Sequence, residues 1–210
     1  MVDAGSGNAY LGFILYEVFF KDSDKGELLS LEGREELTAR AGERAQRLGF
    51  GRMRFLTGRL DDQALYPERC HLLTALHACD TATDDALLAA IRHNVDHVAV
   101  VPCCQAEVAQ QLKERRSPET EGFQPLFEHP WHRREFGSHL TNVIRALALE
   151  AHGYQVTVTE LTGWEHSLKN ELILGRKVHR ENRAARLKLE RLLRETGVTP
   201  KLVRGLGLPA

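Results

Sequence analysis

The spacing of apolar residues alternates along the first half of the chain. Short apolar runs predict buried strands at Met1–Ala4, Leu28–Leu31, Arg52–Thr57, His71–His77 and His97–Pro102. Apolar residues at helical spacing predict helices between them, at Ala9–Phe20, Arg34–Leu48, Asp84–His93 and Gln105–Lys113. Strands that alternate with helices form a parallel sheet covered on both faces. The pattern therefore predicts an α/β fold of five strand–helix units, whose first strand is short enough to look truncated.

The second half of the chain begins with a charged segment that has no apolar period. This segment, Arg115–Pro130, contains Pro and Gly and predicts a loop, inserted at about residues 114–136 above the strand ends. Ser138 is a candidate cap for a helix that ends at Ala151. Two strands, Gln155–Glu160 and Glu171–Leu174, are close enough to pair antiparallel, and a basic amphipathic helix follows. We expect one domain over residues 1–178, with a basic helix and tail over 179–210.

The composition is that of an ordinary globular protein, with 42% hydrophobic residues and a net charge of -1. No apolar stretch reaches the roughly 18 residues that a membrane span requires, and no secretion signal is recognisable. The four cysteines, Cys70, Cys79, Cys103 and Cys104, follow no disulfide framework. The sequence thus predicts reduced thiols, a cytoplasmic protein and no membrane partner.

Polar and glycine residues follow the first two predicted strands. In a doubly wound sheet, ligands bind beyond the carboxyl ends of the strands. In the stretch "DAGSGN", Gly5 and Gly7 let backbone amides face an anionic group without obstruction, and Asp3 can accept a hydrogen bond from an ammonium group. Glu32, at the end of the second strand, can accept from both hydroxyls of a ribose. Taken singly, these residues also fit a surface turn and a solvated carboxylate; taken together, they predict a nucleoside site.

The stretch "VDAGSGNAYLGF", with Glu32 downstream, resembles the class I S-adenosylmethionine-dependent methyltransferases. The resemblance implies a Rossmann-like fold with a seven-stranded, mostly parallel sheet and a C-terminal antiparallel hairpin. It also implies an enzyme that uses S-adenosyl-L-methionine as its cofactor. A dinucleotide dehydrogenase fits less well, because Tyr10 stands where its third glycine would be. By this resemblance the cofactor contacts Asp3, Gly5, Ser6, Gly7, Asn8, Glu32, Gly33, Arg59, Leu60, His77 and Ala78.

Three further stretches carry a narrower resemblance. They are "LHACDTATDDAL" (Leu76–Leu87), "VVPCCQ" (Val100–Gln105) and "HSLKNELI" (His166–Ile173). These stretches are similar to a methyltransferase family with His-x-Cys-Gly and Cys-Cys motifs, which includes a tRNA acceptor-stem 2′-O-methyltransferase. The resemblance covers about Val2 to Gly175. This chain departs from the pattern at Asp80, where the family has glycine.

Residues with catalytic chemistry follow the fourth and fifth strands. Methyl transfer from a sulfonium requires alignment of the nucleophile and, for a hydroxyl acceptor, a base. His77 or Asp80 can serve as that base, although His77 can equally be a cofactor-contacting or structural histidine. Cys103 or Cys104 can attack C6 of a pyrimidine as a thiolate, join His77 and Cys79 at a metal, or line the pocket as small apolar groups. Because adjacent cysteines ligate one zinc poorly, we expect no metal; the catalytic candidates are His77, Cys79, Asp80, Cys103 and Cys104.

The charge of the chain is unevenly distributed. Residues 1–112 carry 11 Lys and Arg against 17 Asp and Glu, whereas residues 113–210 carry 17 against 12. Basic and aromatic residues are interleaved around Trp131, Arg133 and Arg134, which suits stacking on bases or contact with phosphates. We therefore expect an RNA substrate, tRNA or rRNA, bound by Thr81, Asp84, Trp131, Arg133 and Arg134. The basic residues can also be an ordinary solvated helix face. The alternative functions are a small-molecule methyltransferase with a lid loop and a non-catalytic nucleotide- or RNA-binding protein.

Overall fold

A seven-stranded sheet forms the centre of the fold in the computed structural model, which describes residues 1–76, 78–103, 105–114, 122–162 and 170–208. The strands are β1 (Val2–Ala4), β2 (Leu28–Glu32), β3 (Met53–Thr57), β4 (Leu72–Leu76), β5 (His97–Val101), β6 (Tyr154–Glu160) and β7 (Glu171–Lys177). Their order is β3-β2-β1-β4-β5-β7-β6. The first five strands are parallel, and β7 pairs antiparallel with both β5 and β6. The predicted fold class is confirmed, including the C-terminal hairpin.

Eight α-helices are described around this sheet. They are α1 (Tyr10–Phe19), α2 (Glu35–Leu48), α3 (Thr81–Arg92), α4 (Glu107–Glu114), α5 (Gln124–Glu128), α6 (Pro130–Ala151), α7 (Arg183–Thr196) and α8 (Lys201–Gly205). Leu28 belongs to a small core beneath α1 and α2, whereas Leu31 belongs to the main core with α3, α6 and α7. Because strand side chains alternate between faces, residues three apart point to opposite sides of the sheet. The two cores therefore lie on opposite faces.

The region predicted as an inserted loop contains helices in its described part. α6 begins at Pro130, eight residues before Ser138, and α5 precedes it. Proline favours the first turn of a helix because its fixed φ suits that position and no partner is needed for its nitrogen. The ring of Phe127 is buried and lies 5.8 Å from that of Phe136, which packs this region against itself. The loop prediction was wrong for residues 124–128 and 130–136, which are helical. Contacts between aromatic rings stabilise this region, and they leave no regular apolar spacing in the sequence.

The C-terminal segment packs on the same core as the sheet. Leu189 and Leu193 of α7 are fully buried, as is Val198 after the helix, and Leu202 and Val203 of α8 are each 1% exposed. All five belong to the main core. Residues beyond 178 thus share their apolar contacts with the parallel-sheet domain. Among the described residues, no helix is both long and apolar enough to cross a membrane.

Candidate functional site

The loop after β1 exposes its backbone at the carboxyl edge of the sheet. Gly5 and Gly7 have φ values of +71° and +57°, which glycine adopts without steric strain. The amides of Gly5 and Ser6 both donate to the carbonyl of Leu31, at 2.8 and 3.1 Å. A Cβ added at Gly5 would make ordinary contact with Cβ of Ala78, at 3.4 Å, so the positive φ and not lack of space favours glycine here. The predicted strand-to-helix turn is therefore present.

Glu32 ends β2 beside this loop and is 8% exposed. One carboxylate oxygen accepts from the amide of Gly7 at 2.8 Å, and the other accepts from the amide and Nε of Arg34 at 3.2 and 2.9 Å. Burial alone would raise the pKa of Glu32, but the hydrogen bonds from Arg34 and Gly7 hold it below its usual value. A charged carboxylate therefore remains at the strand end, and these hydrogen bonds occupy three of its roughly four acceptor positions.

A cavity of about 470 Å³ opens between the loops after β1, β2, β3 and β4. This volume is within the range of small-molecule sites. Six of the predicted cofactor residues line it: Gly5, Glu32, Gly33, Arg59, Leu60 and Ala78. Cys79 and Thr81, predicted from the same strand end, line it as well. A cavity of about 570 Å³ over β5, β6 and β7 has no predicted site residue in its lining, so the smaller cavity is the candidate site.

Asp3 does not reach this cavity. It is 2% exposed, and one carboxylate oxygen accepts from the hydroxyl of Thr74 at 2.9 Å. Within the described part of the chain, its other oxygen has no hydrogen-bond partner. Burial raises the pKa of Asp3 to about 6. Asp3 is thus buried next to the glycine loop and does not face the cavity. Three other predicted cofactor residues, Ser6, Gly7 and Asn8, are also not among the residues that line it.

Asp80 holds the loop after β4 in a backbone conformation that favours glycine. Its φ is 50° and its ψ is -119°. One oxygen of its side chain accepts from the amides of Ala106 and Glu107, at 3.0 and 3.4 Å, at the start of α4. Its backbone carbonyl accepts from Arg145 at 2.8 Å. The side chain predicted as a base is therefore bound to a helix N-terminus, where a negative charge is stabilised.

A buried polar network joins the loops after β4 and β5 to α6. Asp84 pairs with Arg145 at 2.7 Å, and the two side chains are 2% and 1% exposed. Burial raises the pKa of Asp84, opposed by the charge of Arg145. Asn142 accepts from Arg145 at 3.3 Å and from Gln105 at 3.1 Å, and Gln105 accepts from the hydroxyl of Ser138 at 2.7 Å. Asp84 was predicted to bind substrate, but its side chain is buried in an ion pair with Arg145.

Two of the predicted thiols meet at the edge of the cavity. The sulfur atoms of Cys79 and Cys103 are 3.4 Å apart, although the cysteines follow different strands. Two further catalytic candidates, His77 and Cys104, lie outside the described residues, and so does the first half of the stretch His166–Ile173. Among the residues that the structure does describe, no three His, Cys, Asp or Glu are grouped as metal ligands would be.

The predicted substrate residues of the second half lie in the first turns of α6. Trp131 is 63% exposed, and the guanidinium of Arg134 lies 4.5 Å from the centre of its ring. The side chain of Arg133 donates to the carbonyl of Phe127, which satisfies the end of α5. Trp131 and Arg134 are therefore presented to solvent, whereas Arg133 is tied to its own backbone region.

Sequence reasoning missed two residues of this region. Arg145 was overlooked because it lies within an apolar helical pattern; a charged residue among Ile144, Ala148 and Leu149 was the available signal for a buried ion pair. Lys201 lines the cavity from α8, more than a hundred residues from the strand ends. No local pattern marks it, since only the tertiary path of the chain brings it there.

A mostly parallel sheet with this strand order and a cavity between its glycine loop and a carboxylate at a strand end define a class of protein, the class I methyltransferases. A family model described as "Methyltransferase domain" matches residues 1–111, just over half of the chain. The chain belongs to this family, as the first resemblance indicated. Membership implies an enzyme that takes its methyl group from S-adenosylmethionine.

Known proteins resemble the chain more distantly. It is 25% identical over 195 residues to a "Glutathione S-transferase C-terminal domain-containing protein" of Bos taurus, covering 83% of this chain but only 30% of the relative's length. An rRNA methylase from Streptococcus thermophilus is 11% identical with a TM-score of 0.53, covering 85% of this chain and 86% of that one. A SAH-bound methyltransferase of Podospora anserina is 12% identical with a TM-score of 0.51, covering 85% and 71%. These structural likenesses support the fold.

The residues around the cavity fit such a cofactor. Gly5 and Gly33 bring backbone without side chains to the cavity. Glu32 offers a charged acceptor for ribose hydroxyls. Leu60 and Ala78 add apolar surface that a planar base can contact. The chemistry of this set matches a nucleoside with a free vicinal diol.

Proposed function

We propose that this chain catalyses methyl transfer from S-adenosylmethionine to RNA, either tRNA or rRNA. The observation that carries the proposal is the cavity in which Gly5, Glu32, Leu60 and Ala78 meet next to Cys79. When bound, the cofactor supplies a methyl group activated by a sulfonium. In this proposal Glu32 binds the ribose, and the segment Arg59–Leu60 contacts the base. The cofactor and its acceptor are thereby aligned at the ends of β4 and β5.

The candidates for the acceptor side are the residues that follow β4 and β5. Cys79 and Cys103 are within contact distance of each other there. Since Asp80 is engaged at the start of α4, we assign it to positioning this loop. His77 remains the proposed base for a hydroxyl acceptor, and Cys104 a second proposed thiol, on the sequence alone.

The RNA part of the proposal rests on one stripe of α6. Residues 131, 134, 138, 142 and 145 are spaced by three or four, so they share a face of the helix. Ser138, Asn142 and Arg145 contact the loops of the site, whereas Trp131 and Arg134 continue the same stripe into solvent. A stacked arginine and an aromatic ring suit a base and a phosphate. The rRNA methylase among the structural neighbours supports the same substrate class.

Titration with S-adenosylhomocysteine tests the cofactor part. We expect the wild-type chain to bind it, and Glu32→Gln to bind at least about 10-fold more weakly, because the charged acceptor for the ribose is lost. Glu36→Gln makes the same change at an exposed position of α2 and should bind like the wild type. Equal affinity of the Glu32 and Glu36 variants would contradict the proposed ribose contact.

Salt-dependent RNA binding tests the substrate part. We expect Arg134→Gln to weaken binding of total tRNA or rRNA and to reduce the slope of log K against log salt by about 0.7 to 0.9. Arg40→Gln, exposed on α2, is the matched control and should leave the slope unchanged. If both variants bind RNA equally while S-adenosylhomocysteine still binds, the small-molecule alternative is favoured. Mass spectrometry of nucleosides after incubation with a labelled methyl donor identifies the modified atom.

A further inference from the structure

The segment after α7 reaches the edge of the cofactor cavity through a series of side-chain contacts. Gln111 of α4 accepts from the amide of Thr199 at 2.7 Å and donates to its carbonyl at 3.2 Å. Glu107 accepts from the amide of Lys201 at 2.8 Å and from the side chain of Arg204 at 2.7 Å. These bonds satisfy the backbone on both sides of Pro200. The position of Lys201 is therefore fixed by α4 and does not depend on its own side chain.

α8 is also held closely against α3. The side chain of Arg92 donates to the carbonyl of Gly205 at 2.9 Å. A Cβ at Gly205 would lie only 2.5 Å from a methyl carbon of Leu88, so the helices approach where a glycine stands. Leu202 and Val203 are buried in the main core beside them. The placement of Lys201 thus rests on packing as well as hydrogen bonds.

The side chain of Lys201 lies in the lining of the cavity together with Asp85 of α3. Its ammonium is 2.6 Å from one carboxylate oxygen of Asp85 and donates to the other at 2.7 Å. Both side chains are partly accessible, at 30% and 10%. An ammonium has three N–H donors and each carboxylate oxygen has two acceptor positions. Oδ1 of Asp85 is buried, so Oδ2, which accepts from Lys201, is the oxygen with capacity left for a ligand.

The pair lies on the same rim as the segment that follows β3. Arg59 and Asp61 line the cavity with Lys201 and Asp85, and Arg59 pairs with Asp61 at 2.7 Å. Ala78 and Ala82 line the same cavity with small apolar side chains. This rim therefore offers adjacent donors and acceptors around a space with apolar walls, which is the chemistry that recognises the edge of a planar base.

We propose that Lys201 and Asp85 form a recognition pair for the adenine of the cofactor, the ammonium donating to N1 and the carboxylate accepting from the 6-amino group. This inference rests on the proposed cofactor site and identifies the C-terminal segment as one of its walls. Adenine presents an acceptor and a donor side by side on this edge. Hypoxanthine presents the reverse, an N1–H donor and an oxygen acceptor, so the pair should discriminate between the two bases.

The test compares S-adenosylhomocysteine with S-inosylhomocysteine by titration calorimetry on the full chain. We expect the wild type to bind the adenine ligand at least about 10-fold more tightly. Lys201→Met should weaken binding of the adenine ligand about 10-fold and leave the inosine ligand within about 2-fold of its wild-type affinity. Lys188→Met removes the same charge at an exposed position of α7 and should reproduce both wild-type affinities.

Because Lys201→Met leaves Asp85 without its cation, the double variant Asp85→Asn/Lys201→Met restores neutrality if the single variant does not fold. It should show the same loss of discrimination. An equal loss for both ligands, or wild-type affinities in the variants, overturns base recognition and leaves the cofactor site itself standing. Failure of the wild type to discriminate between the ligands overturns it without any variant. Absence of S-adenosylhomocysteine binding by the wild type overturns the proposed function along with the inference.

Discussion

At the scale of single residues, Asp80 combines an unfavourable backbone with favourable contacts. A side chain at φ 50° and ψ -119° costs on the order of 1 to 3 kcal/mol. The bonds from Ala106, Glu107 and Arg145 offset this cost. The glycine that the narrower resemblance leads one to expect would adopt this backbone readily, but it could not bind the start of α4. Aspartate thus keeps the geometry of the loop and adds a contact between the ends of β4 and β5.

The strain at Asp80 predicts an unusual order of two substitutions. Asp80→Ala and Asp80→Gly lose the same side-chain bonds, but only glycine also relieves the strain. We expect Asp80→Ala to lower the free energy of unfolding by about 1 kcal/mol more than Asp80→Gly, measured by urea denaturation. Asp62, with φ -76° and a side chain that accepts from Ala64, is the control. At Asp62 the alanine variant should be at least as stable as the glycine variant. If the glycine variant were the more stable one at both sites, backbone strain at Asp80 would not explain the difference.

Asp3 makes the stability of the fold depend on pH. Burial raises its pKa to about 6 from 3.8, so the folded state holds its proton more tightly than the unfolded state does. Its stabilising contribution is therefore complete below about pH 4 and is lost as the pH rises through 6. We expect Asp3→Asn to become more stable relative to the wild type between pH 4 and pH 8, by at most about 3 kcal/mol. Urea unfolding at both values measures the change, and a pH-independent difference would refute it.

At the scale of helices, two glycines have opposite roles. Helices α6 and α4 approach each other at Gly137, where an added Cβ would lie 2.9 Å from backbone atoms of Ala109. Gly42 of α2 has ordinary space, because its Cβ would be 3.8 Å from Phe55. We expect Gly137→Ala to destabilise the protein by about 1 to 3 kcal/mol. Gly42→Ala should stabilise it by about 0.5 to 1 kcal/mol through helix propensity. Thermal unfolding of both variants separates the effect of packing from that of helix propensity. If both substitutions changed the stability in the same direction, the close contact between α6 and α4 would not be the cause.

The strands and most helices were predictable because each carries its own periodicity. The strand Leu28–Leu31 and the helix Arg34–Leu48 were recognised within one residue of β2 and α2, and Glu32 follows directly from the end of that strand. The start of α6 was not predictable, since contacts between Phe123, Phe127 and Phe136 fix it. The sequence indicated a loop there because the segment is charged and has no regular spacing of apolar residues. Local patterns therefore predict elements, whereas contacts between distant segments determine where some of them begin.

The same distinction applies to the site. Gly5 and Glu32 were recognised because backbone freedom and a terminal carboxylate leave a local signature. Asp3 and Asp84 share that signature but do not line the cavity, because the packing of neighbouring elements leaves each of them only 2% exposed. Lys201 has no signature at all, since it arrives from another part of the chain. Residue type at a strand end thus identifies candidates, and tertiary packing decides which of them face the cavity.

At the scale of the whole molecule, the expected boundary at residue 178 separates segments that share one core. The buried residues of α7 and α8 contact the same cluster as β1, β4 and β5. α8 also carries Lys201 to the cavity formed by the first four strands. An intact cavity therefore depends on the docking of the last helix. We infer that the C-terminal segment unfolds together with the sheet.

Leu202 tests this cooperativity. It is 1% exposed and packs in the main core, so Leu202→Ala removes buried methyl groups and should lower the free energy of unfolding by about 2 to 5 kcal/mol. Leu187→Ala, 55% exposed on α7, should change it by less than about 0.5 kcal/mol. Far-ultraviolet circular dichroism and tryptophan fluorescence should report one shared transition in each variant. If α8 were instead an independent appendage, Leu202→Ala would leave the midpoint of the sheet domain where the wild type has it, because no core contact would be lost.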